Sequence, residues 1–194
     1  MKYRTNGFTL VETMIVLAVA AILVAVAAPS FNQFMINNRT QSTQSFIAAT
    51  LAQARSEALK QNQHITICNT NRAHSRCRRR NEEWDQFGWI MFVDTNANEQ
   101  LDGGETILAS RQSINGAMAI RLKRTGNRVG VFRFTGAGAS ANDLTATFVA
   151  CHNGAVASQF RGVTIAATGR IAATRDIDND DVHEDHLGND LSCS

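Results

Sequence analysis

The feature that most constrains this chain is an apolar run near its start, GFTLVETMIVLAVAAILVAVAAP, in which Glu12 is the one charged residue. Between positions 8 and 28 this run is long enough for a helix of about 32 Å, which would cross a bilayer. Lys2 and Arg4 precede the run, which predicts a cytoplasmic N-terminus. Because a carboxylate costs about 2.5–3.5 kcal/mol at a bilayer centre and less near its interface, Glu12 opposes the insertion of its own segment.

Two ordinary explanations account for the run but leave Glu12 unexplained. A cleaved signal peptide has a shorter apolar core followed by small residues, and AVAAPS at positions 25–30 offers residues of that kind. The chain would then be a secreted, disulfide-bonded β-domain. A plain membrane anchor is the second explanation, with the acidic residue placed at random.

The same residues resemble the class III leader and N-terminal helix of type IV pilins and type II secretion pseudopilins. The resemblance implies that a prepilin peptidase cuts after Gly7 and that Phe8 becomes the N-methylated N-terminus. It also implies that Glu12 meets the N-terminal amine of a neighbouring filament subunit, and that Pro29 matches a proline that kinks the helix in many members. Pairing with an ammonium removes much of the cost of a buried carboxylate, so Glu12 would set the subunit register.

The residues after the run continue the helical pattern. Positions 30–61 contain no glycine or proline. Apolar residues recur there at three- and four-residue steps, at Ile47, Leu51, Ala54 and Ala58. Phe46 and Leu59 lie beside this stripe and widen it. The pattern predicts one long helix from about Thr9 to about Gln61. Its second half is apolar on one side only, so it needs a sheet or another helix to cover that side.

Short β-rich runs broken by glycine and asparagine follow, which predicts an α+β fold in which the long helix packs on an antiparallel sheet. The runs are HITIC, GWIMFVD, ETILAS, AMAIRLK, VGVFRF, LTATFVAC and GVTIAA. The predicted organisation is a leader at 1–7, a membrane and filament-core helix at 8–29, an amphipathic helix at 30–62, a β-sheet domain at 63–175 and an acidic tail at 176–194.

A second pattern resembles the GspH/FimT branch of pseudopilins and FimT/FimU-like minor pilins. It comprises GWI-x-F-x-D-x-N-x-N…D-x-GE…IL between Gly88 and Leu108, Cys68–Asn69, and TGR at 168–170. This second resemblance implies a pilin fold. It also implies the function of a structural subunit for assembly or initiation of a type IV pilus or a type II secretion pseudopilus. The implied partners are the prepilin peptidase, other minor and major pilins or pseudopilins, and inner-membrane lipid before assembly. The implied location is the inner membrane, with one pass and the globular domain in the periplasm, and then the filament.

The sequence gives no indication of catalysis or of a resident cofactor. It contains no GxSxG, HExxH, Walker or Rossmann glycine motif. A structural or binding role is therefore predicted.

Four cysteines in an exported domain suggest two disulfides, for which three connectivities exist. We favour Cys68–Cys77, which closes a short loop, and Cys151–Cys193, which clamps the C-terminus. The alternative is a zinc site, but the chain lacks the closely spaced C-x-x-C pairs that such sites use.

Arginine and lysine side chains are concentrated in two groups, which makes DNA a candidate partner. The first group is Arg72, Arg76, Arg78, Arg79 and Arg80; the second is Arg121, Lys123, Arg124, Arg128 and Arg133. If both groups share one face, they would bind phosphates with a steep salt dependence. Some FimT-type members take part in DNA uptake and carry GRxR near the C-terminus; here Arg170 matches, Ala172 replaces the second arginine, and Arg175 is close by. The alternative is a solvated basic face, or one that matches acidic neighbours in a filament.

The stretch DTNANEQLDGGE has oxygen-bearing side chains near calcium-loop spacing, at Asp94, Asn96, Asn98, Asp102 and Glu105. Calcium would be the ligand of such a loop. The sixth position is Glu99 instead of glycine, however, and no helices flank the stretch. A β-hairpin loop rich in turn-forming residues explains it equally well.

The tail is acidic. The whole chain has a formal net charge of +2. Without the seven carboxylates of the tail, the remainder of the chain has a net charge of about +9. Asp176, Asp178 and Asp180 alternate along the chain and are followed by His183 and His186, which is a candidate metal-binding pattern. We favour the other interpretation, a disordered terminus pinned by Cys193, because charge runs are usually solvated.

Overall fold

The computed structural model describes residues 9–78, 84, 87–113, 118–124 and 130–193, with the backbone alone at positions 28 and 29. The predicted processing residues Gly7 and Phe8 lie outside these ranges, as do Arg79, Arg80 and Arg128. The chain divides into two compact units, the first ending at Asn37 and the second beginning at Asn38.

A single helix, α1 (Leu10–Gln61), confirms the predicted long helix. Thr9 caps its start, because the backbone N–H of Glu12 donates to the Thr9 Oγ1 at 3.3 Å. The Glu12 carboxylate thus lies in the first turn, where the partial positive charge of the helix end favours an acidic side chain.

The last turn of α1 ends in a Schellman arrangement. Asn62 takes a left-handed conformation (φ 52°), and the N–H of Gln63 donates to the carbonyl oxygen of Ala58 at 3.3 Å. The chain reverses there and enters the first strand directly.

The apolar stripe on the second half of α1 is buried as predicted, at Ile47, Leu51, Ala54 and Ala58. Phe46 packs at the edge of the same core, with its ring centroid 6.3 Å from that of Trp89. Leu59 was expected to widen the stripe, but its side chain is 51% exposed. The buried part of the stripe is therefore narrower than the sequence pattern indicates.

The strands form two antiparallel sheets, where the sequence analysis expected one. Sheet 1 has the order β3-β2-β1-β5 and sheet 2 the order β4-β6-β7-β8. The strands are β1 (Ile65–Asn69), β2 (Trp89–Val93), β3 (Ile107–Arg111), β4 (Met118–Arg124), β5 (Val131–Phe134), β6 (Ala146–His152), β7 (Arg161–Ile165) and β8 (Ile171–Ala173). All but the three-residue β8 correspond to predicted runs.

The main core lies among the helix stripe and the inner faces of both sheets. Phe132 of β5 and Phe148 of β6 meet there with ring centroids 6.3 Å apart, so that the two sheets contact one another. Trp84 packs edge-on against Phe148 at 5.0 Å, and Trp89 is also buried. Both tryptophans are core residues.

Each sheet is also covered on its outer face, by a segment that a disulfide holds in place. Over sheet 1, Cys68, Ile90, Phe92 and Val131 form a second cluster with Cys77 and Leu101. Over sheet 2, Val149 and Cys151 form a third with Leu191 and Cys193. The structure contains the disulfides Cys68–Cys77 and Cys151–Cys193, which confirms the favoured connectivity.

The acidic tail is folded over sheet 2, so the expectation of a disordered terminus was wrong. Leu191 is 2% exposed and Glu184 is 4% exposed. The Glu184 carboxylate accepts hydrogen bonds from the backbone N–H groups of Ile177 and Asp178 at 2.9 and 3.3 Å. These contacts, together with the disulfide, supply the apolar burial and hydrogen bonding that the composition of the tail does not reveal.

Removing the tail disulfide should destabilise the domain by about 2–4 kcal/mol, because the Cys151–Cys193 link closes a loop with a sequence separation of 42. We expect the double variant Cys151→Ala/Cys193→Ala to lower the free energy of unfolding by this amount, measured on the full chain in detergent by tryptophan fluorescence. The matched variant Cys68→Ala/Cys77→Ala opens a loop with a sequence separation of 9, so its free energy of unfolding should fall by less. Equal stability of all three proteins would contradict the clamping role.

Candidate functional site

The first unit exposes the apolar surface that the sequence analysis assigned to a membrane or a filament. Its large apolar side chains between positions 10 and 34 are at least half exposed, from Val19 at 50% to Leu10 at 76%, whereas Ile36 near its end is buried. Within the described residues, α1 is the one helix long and apolar enough to cross a membrane. A surface of this kind is stable against lipid or other apolar helices, not in water.

Glu12 is the charged site within this surface. Its side chain is exposed, and no Lys or Arg of the described ranges lies within ion-pair distance of its carboxylate. Position 29 lies inside α1, where the resemblance places a kink-forming proline. The site thus offers a carboxylate on an apolar helix to a cation that comes from elsewhere.

The described members of the first arginine group, Arg72, Arg76 and Arg78, lie on a short reversal that we call the arginine hairpin, residues 68–78. The disulfide closes it, Thr70 and Cys77 form a β-bridge, and the N–H of Arg78 donates to the carbonyl of Asn69 at 2.8 Å. At the turn, the Asn71 Oδ1 accepts a hydrogen bond from the N–H of Ser75 at 2.9 Å. The side chains of Arg72 and Arg76 are exposed.

The second basic group does not extend this surface, contrary to the single-face arrangement considered for DNA. Arg133 is buried, with its Nε 3.9 Å from the Glu99 carboxylate. Arg124 donates to the Val131 carbonyl at 2.7 Å, and Lys123 contacts Ser192 beneath the tail. Arg121 donates to a carbonyl of its own strand. These side chains tie the fold together instead of presenting a free basic stripe.

Arg170 and Arg175 are exposed at a cleft of about 470 Å³ between the β7–β8 edge of sheet 2 and the tail. Glu184 and His186 line the same cleft. The arginines therefore face an acidic segment of the same chain, which weakens the case for a phosphate-binding role.

The calcium-like stretch is the connection between β2 and β3, and its side chains bond within it. Asp102 accepts hydrogen bonds from the amide groups of Asn96 and Asn98 at 2.8 and 2.6 Å. These bonds lower the pKa of the Asp102 carboxyl. Glu105 accepts from the backbone N–H groups of Thr95 and Asp102 at 2.8 and 3.0 Å. The described geometry is that of the hairpin-loop alternative.

Asp94, at the start of this loop, is fully buried and holds it on sheet 1. Its carboxylate accepts the Thr66 hydroxyl at 2.7 Å and the N–H groups of Asn98 and Glu99 at 3.0 and 2.9 Å. The sequence analysis grouped Asp94 with calcium ligands and missed this structural role. The signal available was Thr66, a polar residue in a continuous apolar strand that needs a partner.

In the tail, carboxylate oxygens of Asp176, Asp178 and Glu184 lie within 4.8 Å of one another. A divalent cation is the metal such oxygens would hold. Glu184 already accepts backbone hydrogen bonds, while burial and then the charge of Asp180 raise the pKa of Asp178. His183 and His186 have a different role, because His186 bonds Thr147 of β6 and His183 bonds Thr174, the residue after β8.

These two histidines fasten the tail to the outer face of sheet 2. The Nδ1 atoms of His183 and His186 lie 3.0 and 2.9 Å from the hydroxyls of Thr174 and Thr147. Burial lowers the pKa of both imidazoles, and the charge of Arg161 lowers that of His183 further. The tail is therefore held with neutral histidines.

Replacing Asp94 with alanine should cost about 2–5 kcal/mol of stability, because one buried hydroxyl and two backbone N–H groups would lose their acceptor. Asp102→Ala is the control in the same loop, since Asp102 is exposed and should change stability much less. Tryptophan-monitored unfolding of the full chain measures both. An Asp94 variant as stable as the control would contradict the assignment.

The tail should loosen as pH falls from about 7.5 to 5.5. The unfolded tail takes up protons near the ordinary histidine pKa of 6.5, whereas the folded tail resists them, so its stability is lost below that value. Hydrogen exchange at the Ile177 and Leu191 amides, corrected for intrinsic rates, should therefore be faster at pH 5.5. In the variant His183→Gln/His186→Gln, the difference in exchange rate between pH 7.5 and pH 5.5 should largely disappear. A difference as large as that of the parent would exclude these histidines as its cause. Protonation of Asp178 acts in the opposite direction at lower pH.

The chain matches two family models. Residues 45–169 match the family described as type II transport protein GspH, and residues 2–28 match the prokaryotic N-terminal methylation motif. The second match covers the apolar run and Glu12. The first covers the sheets and much of the helix that packs on them.

Individual relatives agree in sequence and in fold. The pilin-like protein PilA1 of Thermus thermophilus is 27% identical over 169 residues, which are 85% of this chain and 96% of that protein. The type IV minor pilin FimU of Pseudomonas aeruginosa has the same fold in two crystal forms. The first has a TM-score of 0.54 and 23% identity over 72% of this chain and 90% of FimU. The second has a TM-score of 0.51 and 22% identity over 70% and 92%.

Both the family and the fold are those of structural, non-enzymatic proteins. The methylation motif implies processing by a prepilin peptidase and association with other pilins. The apolar helix, the two disulfide-held sheets and the matches together show that this chain belongs to the GspH family of type IV pilin-like proteins.

Proposed function

We propose that this chain is a minor subunit that helps to assemble or initiate a type IV pilus or type II secretion pseudopilus. A prepilin peptidase cuts after Gly7, Phe8 is N-methylated, and the helix at 8–29 holds the subunit in the inner membrane. The helix at 30–62, the β-domain at 63–175 and the tail at 176–194 then lie in the periplasm until the subunit joins the filament.

One observation carries this proposal: a carboxylate stands in the first turn of an exposed apolar helix, and the described residues place no cation beside it. In a bilayer such a group costs about 2.5–3.5 kcal/mol, or less near the interface. The N-terminal amine of an adjacent subunit offsets that cost in a low-dielectric bundle of helices. The membrane-inserted monomer is thereby disfavoured relative to the filament, which gives assembly both a driving force and a register.

The globular domain selects neighbours in this proposal. Its outer faces are already covered by the arginine hairpin, the β2–β3 loop and the tail, so these segments form the surface available to other subunits. DNA uptake would need a contiguous basic surface, whereas the described arginines are exposed at separate places, Arg72 and Arg76 at the hairpin and Arg170 and Arg175 at the cleft beside the tail. The proposal therefore concerns filament assembly and treats DNA as a competing ligand of the hairpin.

Replacing Glu12 with leucine should leave membrane insertion and processing intact but reduce incorporation into filaments at least tenfold, because the amine of the neighbour would lose its carboxylate. Immunoblots of sheared filaments against total membranes measure incorporation. Mass spectrometry of the mature protein should find methylated Phe8 in both proteins.

Thr13→Val is the matched control, a neutral change one residue farther along the same helix. It should be processed and incorporated like the parent. A Glu12→Leu protein that enters filaments as well as this control would contradict the assembly role. A mature protein that starts near Pro29 would instead indicate an ordinary cleaved signal peptide.

A further inference from the structure

The arginine hairpin has the construction of a preformed binding element. Its backbone is fixed by the Cys68–Cys77 disulfide, the Thr70–Cys77 bridge and the hydrogen bond from the Asn71 N–H to the Arg76 carbonyl at 3.3 Å. A rigid loop loses little conformational entropy on binding. Its exposed arginines are therefore held ready for a ligand.

Phe87 orders two of these arginines. The guanidinium carbons of Arg72 and Arg78 lie 5.9 and 5.0 Å from its ring centroid, which is within cation–π range. Next to them is a cavity of about 200 Å³ lined by Arg72, Phe87, Gln112 and Ser113. Guanidinium, amide and hydroxyl groups all offer hydrogen-bond donors, and the volume suits a single side chain. A carboxylate fits these properties.

For Arg72 and Arg76, no carboxylate of the described residues comes within ion-pair distance. The partner of opposite charge must then come from outside the subunit or from residues that are not described. This chain itself carries such a partner in what we call the acidic loop, residues 176–185, where Asp178, Asp180 and Asp181 are exposed.

The acidic loop likewise forms no ion pair with a Lys or Arg side chain of the described residues, although Arg170 and Arg175 line the same cleft as Glu184. Crowding of like charges helps to raise the pKa of Asp178. The loop belongs to the segment folded over sheet 2, whereas the arginine hairpin covers sheet 1. One domain therefore presents two patches of opposite charge on different sheets.

We propose that the arginine hairpin of one subunit docks on the acidic loop of a second copy of this chain, with an aspartate entering the cavity beside Phe87. Because the two patches differ, the contact is head-to-tail and joins neighbouring copies without the two-fold symmetry of a closed dimer. Charge pairs of this kind favour the correct partner and accelerate its association. This inference rests on the proposed filament role and names one contact that the globular domains make there.

A photo-crosslinking amino acid at Ala73, an exposed hairpin position, tests the contact in membranes that contain the full chain. We expect crosslinks to a peptide from residues 176–190 of a second, isotope-labelled copy. Crosslinks only to other regions of the chain, or none, would overturn the proposal. Crosslinks to DNA that persist when the acidic loop is reversed in charge would also overturn it, in favour of DNA as the ligand.

Charge reversal supplies the sharper test. Arg72→Glu/Arg76→Glu reverses the charge of both exposed hairpin arginines, and Asp178→Lys/Asp181→Lys reverses two of the three exposed aspartates of the acidic loop. Each variant alone should lose about tenfold in crosslinking between copies. An equimolar mixture should recover it, since each protein then offers the patch that the other lacks. Failure of the mixture to recover, with both variants melting like the parent, would overturn the proposal.

The control Arg39→Glu/Lys60→Glu makes the same change in charge at exposed positions of α1 and should crosslink like the parent. Measuring filament incorporation distinguishes a failure of the docking contact from a failure of the proposed function. Normal incorporation without the crosslink would overturn this docking contact and leave the proposed function standing. A crosslink between copies that never enter filaments would overturn the proposed function and leave the contact standing.

Discussion

A carboxylate in the first turn of an apolar helix is the constraint on which the rest of this protein depends. Glu12 is favourable where α1 begins, because Thr9 caps the helix and the macrodipole attracts an acidic side chain. It is unfavourable where the helix must reside, because the surrounding side chains are those of a membrane segment. In the proposed function, a cation from another subunit relieves this conflict, so the charge that weakens insertion would strengthen assembly.

The globular domain provides a rigid body on the second half of the same helix. The stripe from Ile47 to Ala58 packs in the main core with the inner faces of two antiparallel sheets. Each outer face is covered by a disulfide-held segment, the arginine hairpin over sheet 1 and the tail over sheet 2. The segments that complete the fold are thus also those that other subunits would meet.

Features encoded locally were predictable from the sequence. The 3.6-residue period of α1, the apolar strand runs and the cysteine spacing reappear as the helix, seven of the eight strands and both disulfides. Features that depend on distant pairing were not. The division into two sheets follows from β1 pairing with β5 and β4 with β6, and composition does not specify such partners.

The candidate sites also divide into those encoded by local sequence and those that depend on distant residues. Motif residues around Glu12 could be recognised, because their chemistry is local to one helix. The folded tail could not, because its order comes from the burial of Leu191 on sheet 2, from the bonds of Glu184, and from His186 bonded to Thr147, which lies 39 residues earlier. The structural role of Asp94 was missed for the same reason, since its partner Thr66 lies 28 residues earlier.

The most direct test of the central pairing is zero-length crosslinking in assembled filaments with a lipid-soluble carbodiimide, which joins a carboxylate to an amine in contact with it. Filaments built from mixed isotope-labelled subunits would show by mass spectrometry which chains are joined. The account predicts an amide between the Glu12 carboxylate of one subunit and the Phe8 nitrogen of another. Filaments that yield other crosslinks between subunits but never this one would contradict it.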